Sequence, residues 1–440
     1  MTKTNPPPKP RLPDEPIDAV AEPFRKFIHT ETAGGIVLLL AAALALVLAN
    51  TPFGPAYEAF WGTPVGMRFG GFDWDHPLRH WINDGLMTLF FFVVGLEVKR
   101  EMATGELSEP RAAVLPLAAA FGGMVVPAAV YLALASGPGS AAGWGVVMAT
   151  DIAFVVGCLA LVGGRIPASL RVFVLALAIM DDIGAILVIA LGYSHGFQPV
   201  PFALALAGVG IVALMRWLGV RRVPVYWAAG VLIWAGMHES GIHPTIAGVA
   251  LGLLTPARPW VDKDRLDNFL KWARAHVARK DSAQDAEPGK VLGKVSRAVQ
   301  ESVSPLERLE GGLHPWTAFA VMPLFALANA GVAVTPSAIF EPITIAVVAG
   351  LVIGKPLGIV LFAGLAVWLG LADKAKDMTW PLVAAAGILA GIGFTMALFI
   401  GNLALDGLAL QSAKFGILAG SLMAGIAGTA LLVVLTSKGK

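Results

Sequence analysis

Residues 172–191 read VFVLALAIMDDIGAILVIAL: nine apolar residues, then Asp181 and Asp182, then nine more. A helix rises 1.5 Å per residue, so this one just crosses a hydrocarbon layer of roughly 30 Å and sets both carboxylates near its middle. Core packing does not ask for them. An aspartate at mid-bilayer costs roughly 2.5 to 3.5 kcal/mol on the insertion scale, so the pair reads as an ion or proton site inside a membrane.

The rest of the chain points to the same solvent. Of its 440 residues 56% are hydrophobic and only 14% charged, and a mean hydropathy of +0.72 places it among polytopic membrane proteins. The formal net charge of +2 carries no footprint for nucleic acid, and the single cysteine, Cys158, excludes an intramolecular disulfide. Residues 1–31, proline-rich and charged, read as a disordered tail ahead of one transmembrane domain over 32–440. The first apolar run, Ala33 to Ala49, is as short as a signal-peptide core. More than thirty residues precede it and no small-x-small site follows, so it reads as an uncleaved first span.

Apolar segments recur near 33–50, 82–98, 113–135, 140–162, 171–191, 202–217, 224–237, 242–254, 315–333, 343–368, 381–401 and 413–435, which predicts about twelve helices. The seventh and eighth separate only at the polar turn Met237-His238-Glu239-Ser240-Gly241. Basic residues collect in alternate loops: Lys99, Arg100 and Arg111, then Arg165 and Arg171, then Arg216, Arg221 and Arg222, then the stretch from Arg258 to Arg308, then Lys374 and Lys376. By the positive-inside rule those loops and both termini are cytoplasmic. Two loops exceed connector length. Residues 63–75, with Gly70-Gly71 between short alternating arms, fit an outer β-hairpin. The charged 256–312 loop contains one amphipathic piece, RLDNFLKWARAHVARK, of the kind that lies on a membrane surface, with a solvated linker as the favoured reading.

Three more polar features lie at mid-depth. Thr150-Asp151 in the fourth span is capping chemistry that restarts a helix after a break, and Gly391-Ile392-Gly393-Phe394-Thr395 in the eleventh permits a similar interruption. Lys355, midway along the tenth span, is tolerable only beside an anion. Each has a bland alternative: a structural cap, close small-residue packing, a snorkelling lysine. Three acids and one base at similar depth argue against all of them together. Spans 3–5 and 10–12 are also two triplets, each interrupted in its middle member, and an odd number of helices per unit inverts their orientation. The expected fold is therefore all-α and polytopic, with inverted-topology repeats and two interrupted helices crossing at mid-membrane. There Asp151 and Lys355 would neutralise the helix ends.

The motifs INDGLMTLFFFVVGLEVKRE (82–101), ATDIAFVVG (149–157), LALAIMDDIGAI (175–186), LHPW (313–316), PLFALANAGV (323–332), GKPLGI (354–359) and GIGFTMALFIG (391–401) closely resemble those of the bacterial NhaA-type sodium/proton antiporters. The resemblance covers about residues 25–435; the proline-rich tail and the long 256–312 loop depart from it. It implies a multi-pass protein of the bacterial inner membrane that exchanges Na+ or Li+ for protons, with no cofactor beyond the transported ions, activation by alkaline pH, and a homodimer to which the outer hairpin contributes.

Adjacent helical residues point about 100° apart, so Asp181 and Asp182 need different partners. Asp182 is expected to face the water-filled funnel and, with Asp181 and the Thr150-Asp151 break, to offer oxygen ligands to Na+ or Li+. Lys355 is expected to pair with Asp181 when the cation is absent, a pairing the resemblance also implies. Proton and cation would then compete for one set of anions, with more protons than sodium ions crossing per cycle. Glu307, Glu310 and His314, with Glu97, form a candidate pH-sensing cluster; His243 and Asp84 are further candidates, and ordinary helix-end charges are the alternative. An intramembrane aspartyl protease would need its acids on different helices, and Lys355 would quench their shared proton. A sodium-coupled symporter of the same broken-helix architecture needs a polar cavity that the apolar spans do not offer. A passive channel needs a repeated filter, absent from the sequence.

Overall fold

The computed structural model describes residues 31–437 except 70–71, 138, 195, 221–222, 279–287 and 334–335; of the tail expected at 1–31, residues 1–30 lie outside the described residues and Glu31 already begins the first helix. Helices occupy all twelve expected segments. They are α1 (Glu31–Ala49), α3 (Leu78–Thr104), α4 (Pro110–Leu134), the broken α5 (Ser140–Val147 and Ile152–Val162), α6 (Ala168–Gly192), α7 (Pro199–Trp217), α8 (Val223–Glu239), α9 (Thr245–Leu254), α12 (Pro305–Asn329), α13 (Pro342–Trp368), the broken α14 (Trp380–Ala390 and Phe394–Ala404) and α15 (Gly407–Ser437). Between them lie α2 (Gly54–Trp61), which turns back from α1 by 118°, and the pair α10 (Lys263–Ala278) and α11 (Pro288–Glu301).

Six of these helices are long and apolar enough to cross a membrane alone, and nine segments qualify when each bent pair counts as one. That is fewer than twelve complete spans. The shortfall has physical reasons: α9 has ten residues and reaches only about 15 Å, and the first turns of α12 carry Glu307, Arg308 and Glu310. The division between α8 and α9 is real, and Gly241 supplies the positive φ of 77° at the turn.

The hairpin forms as expected. β1 (Pro64–Phe69) pairs antiparallel with β2 (Phe72–Pro77), Val65 opposite His76 and Met67 opposite Trp74, although the turn glycines lie outside the described residues. The Trp81 indole donates to the Val65 carbonyl at 2.6 Å, tying the hairpin to the first turns of α3. The hairpin thereby marks one end of the helical assembly, the hairpin face. The 256–312 stretch corrects the linker reading. It holds the packed helices α10 and α11, and the Trp260 and Val261 amides both donate to the Glu301 carbonyl, while the Leu306 amide donates to Pro256.

The two triplets pack crosswise: α4 against α13, the second half of α5 against α15, and α6 against the first half of α14. Small residues let the first pair approach closely. A Cβ on Gly122 would stand 2.2 Å from the Gly358 carbonyl, and one on Gly358 2.1 Å from the Gly122 carbonyl, so only glycine fits this crossing. A π-helical segment, Gly350–Gly354, absorbs the backbone mismatch just before Lys355-Pro356 and aims the lysine stem over Gly123.

Candidate functional site

The breaks in α5 and α14 lie against each other and satisfy each other's backbone. α5 leaves helical geometry after Val147 and restarts at Ile152, bent by 40°, with Asp151 as N-cap; α14 breaks over Gly391–Gly393 and bends by 49°. The Asp151 amide donates to the Ile392 carbonyl at 2.7 Å. One carboxylate caps two helices: Asp151 Oδ1 accepts the Phe154 amide at 3.3 Å, and Oδ2 accepts the Thr395 amide at 3.1 Å and the Thr395 hydroxyl. A Cβ on Gly391 would lie 2.3 Å from the Leu351 carbonyl, which explains the glycine at this crossing. Ser421 Oγ accepts the Phe394 amide at 3.1 Å and so satisfies one more donor of the restarted helix.

The opposite helix ends receive positive or neutral donors. Lys355 Nζ donates to the Met148 carbonyl, at the end of the first half of α5, and lies 2.7 Å from Asp181 Oδ2. Thr150 Oγ1 lies 2.5 Å from the same Asp181 oxygen and 2.8 Å from the Ala390 carbonyl, at the end of the first half of α14. Lys355 and Asp181 are both 0% exposed, and Asp181 Oδ1 finds no hydrogen-bond donor among the described residues. Asp182, one residue on and also buried, has Glu97, Asp181, Asp151 and Lys355 as its charged surroundings.

Thr150, Asp151, Asp181, Asp182, Lys355, Gly391, Gly393 and Thr395 thus meet at one place, as the sequence led us to expect. Glu97 joins them through Asp182. It also neighbours Glu310, Arg100 and Glu101, so it stands between the crossing and the face opposite the hairpin. There Arg100 Nη1 is ion-paired with Glu310 Oε1, and His314 acts on the same carboxyl. Glu307 begins α12, its amide bonded to Ser304 Oγ at 3.1 Å, and its side chain is exposed. His243 is elsewhere, on the hairpin face, buried with its Nδ1 2.8 Å from Thr245 Oγ1 and its Nε2 4.0 Å from Asp84 Oδ1.

Two elements escaped the sequence reading. The nearness of Glu97 to Asp182 had one available signal, an acid inside the apolar run of α3, which passes equally for a helix end. A clamp of asparagines did not announce itself at all: Asn329 Nδ2 donates to Asn83 Oδ1 at 2.7 Å, and Asn402 Nδ2 to Asn329 Oδ1 at 3.0 Å, joining α3, α12 and α14.

A buried acid pair answered by a lysine, at the crossing of two broken helices from inverted triplets, defines a secondary ion transporter. Comparison with known proteins narrows the class. The chain belongs to the Na+/H+ antiporter 1 family, whose model matches residues 25–432. It is 50% identical over 427 residues to the Na(+)/H(+) antiporter NhaA of Rhizobium meliloti (strain 1021), covering 97% of this chain and 98% of that one. It is also 50% identical over 422 residues to the NhaA of Rhodopirellula baltica, covering 96% of each. Among solved structures, the sodium proton antiporter MjNhaP1 from Methanocaldococcus jannaschii shares the fold, with a TM-score of 0.50 at 11% identity over 96% of this chain and 95% of that one.

Proposed function

We propose that this antiporter exchanges cytoplasmic Na+ or Li+ for external protons, electrogenically and under pH control, and so serves sodium and pH homeostasis. The observation that carries the reading is the 2.7 Å contact of Lys355 Nζ with Asp181 Oδ2, wholly buried one residue from Asp182. Asp182 and the orphaned Oδ1 of Asp181 are the hard oxygens that Na+ or Li+ requires, and the Thr150 hydroxyl adds a neutral one. Asp151, committed to two helix N-termini, contributes its negative charge beside them. When the cation leaves, protons return and Lys355 closes on Asp181. Cation and protons compete for one set of groups, which couples their movements. Proton release from both Asp182 and the Asp181–Lys355 pair for each cation bound moves more protons than cations, so the membrane potential drives exchange along with the pH gradient.

The basic loops lie on the face opposite the hairpin, which supports an inner-membrane orientation with that face and both termini cytoplasmic. The hairpin face is then external and available to a second copy of the chain. pH control is assigned to the cytoplasmic end, where burial pushes the Glu310 carboxyl above its ordinary range while Arg100 and His314 pull it back. Glu97 provides the electrostatic path from there to Asp182.

The test uses Asp182→Asn in everted vesicles. Loss of Na+-dependent collapse of the pH gradient is expected, and a variant that still collapses it overturns the assignment. Proton release on adding Na+ without any organic solute separates antiport from sodium-coupled symport.

A further inference from the structure

Three histidines outside the transport site meet on the hairpin face: His76 near the end of β2, His80 in the first turn of α3, and His238 near the end of α8. One ring nitrogen of each lies within 4.8 Å of the others, and the ring centroids are 4.3 Å, 5.5 Å and 5.4 Å apart. Asp84 reaches in from the next turn of α3, with Oδ2 3.5 Å from His80 Nε2 and 3.7 Å from His238 Nδ1. Tryptophans border the group. Trp234 stacks on His238 at 5.9 Å, and Trp81 meets His76 edge-on at 6.3 Å.

We propose that His76, His80 and His238 form a binding site for a borderline divalent transition cation, with Zn2+ as the reference member and Asp84 as the carboxylate that orients the rings. Imidazole nitrogen suits Zn2+, Ni2+ and Cu2+, whereas Mg2+ and Ca2+ require sites made of oxygens. Nitrogens bound to one Zn2+ at about 2.0 to 2.1 Å stand roughly 3.3 Å from each other in a tetrahedral shell. All three rings are only half-buried, so side-chain rotation is the movement that binding requires to bring the nitrogens from within 4.8 Å to that spacing. A carboxylate 3.5 Å from one ligating ring and 3.7 Å from another is placed to orient both once an ion draws them together, and it offsets the charge of the arriving ion. The ligands come from three elements. A bound ion therefore fastens the hairpin to the ends of α3 and α8, a structural role separate from the transported cation.

The experiment uses purified full-length protein, free of any affinity tag and stripped with chelator, titrated first with Co2+ and then with Zn2+. One equivalent of Co2+ is expected to bind in the micromolar range, to show the intense visible absorption of a four-coordinate ion, and to be displaced by Zn2+ but not by Mg2+. His76→Ala on the hairpin and His238→Ala on α8 should each weaken binding by about tenfold or more. His76→Ala should leave Na+/H+ exchange by the metal-free protein intact, which shows that it is folded. Absence of micromolar binding to the unaltered protein, or unaltered affinity in both variants, overturns the site.

Discussion

Replacing Lys355 with methionine keeps most of the side-chain volume and deletes the ammonium, and with it the 2.7 Å contact to Asp181 and the bond to the Met148 carbonyl. Neither Lys355 nor Asp181 has any exposed surface, so water does not screen the loss. Removing one partner of a buried ion pair costs about 3–5 kcal/mol, and a stranded carbonyl adds about 1–3 kcal/mol, so Lys355→Met should lose roughly 4–8 kcal/mol. Asp181 then keeps only the Thr150 hydroxyl, 2.5 Å away. Changing Asp181 to Asn in the same chain removes the uncompensated charge, and the double variant should regain about 2 kcal/mol or more relative to Lys355→Met alone. The assay is unfolding of all four proteins in detergent at fixed pH and sodium, followed by tryptophan fluorescence. If the losses of the two single variants simply add, within about 0.5 kcal/mol, the pair is not coupled and the reasoning fails.

Gly391→Ala should destabilise the protein by about 1–3 kcal/mol, because its Cβ would sit 2.3 Å from a backbone oxygen that has nowhere to go. Gly393→Ala, whose nearest neighbour would be the Ala397 methyl at 3.0 Å, should cost less, and thermal unfolding ranks the two. Thr395→Val removes one donor to Asp151 and leaves the Thr395 amide, so a loss of about 1 kcal/mol with a weaker apparent affinity for Na+ in vesicles is expected. Glu310→Gln fixes that carboxyl in an uncharged form. Since burial already holds Glu310 above the ordinary range, ionisation falls at higher pH than for a free glutamate, and the variant should lose part of the alkaline rise in exchange. A pH profile unmoved by both Glu310→Gln and His314→Ala removes the sensor from this end of the molecule.

What the sequence revealed, and what it hid, follows from how far each signal travels along the chain. Asp181, Asp182 and Lys355 were legible because each is too costly in an apolar run to be incidental. The breaks at Thr150-Asp151 and at Gly391–Gly393 were legible because capping residues and glycines write local geometry directly. The double capping by Asp151 was not, since it depends on Thr395 arriving from the other repeat. Nor was the approach of Glu97 to Asp182, which only the packing of α3 against α6 creates. The amphipathic piece that became α10 was legible, but α11 and its packing on α10 were not, because charged, amphipathic segments show the same composition in solution and in a packed hairpin. The histidine group was invisible because His238 is remote in sequence from His76 and His80.

The α10–α11 pair leaves and rejoins the rest of the chain at nearly one point, pinned by the Leu306–Pro256 bond and by the two amides that grip Glu301. Its ends are therefore spaced like the two termini of a compact soluble domain. A chain inserted there inherits a fixed orientation, because the hydrogen bonds that set the angle belong to residues on either side of the splice. For imaging, that makes the pair a grafting platform: a rigid partner spliced between residues 262 and 300 would serve as a fiducial and leave the crossing of the broken helices untouched.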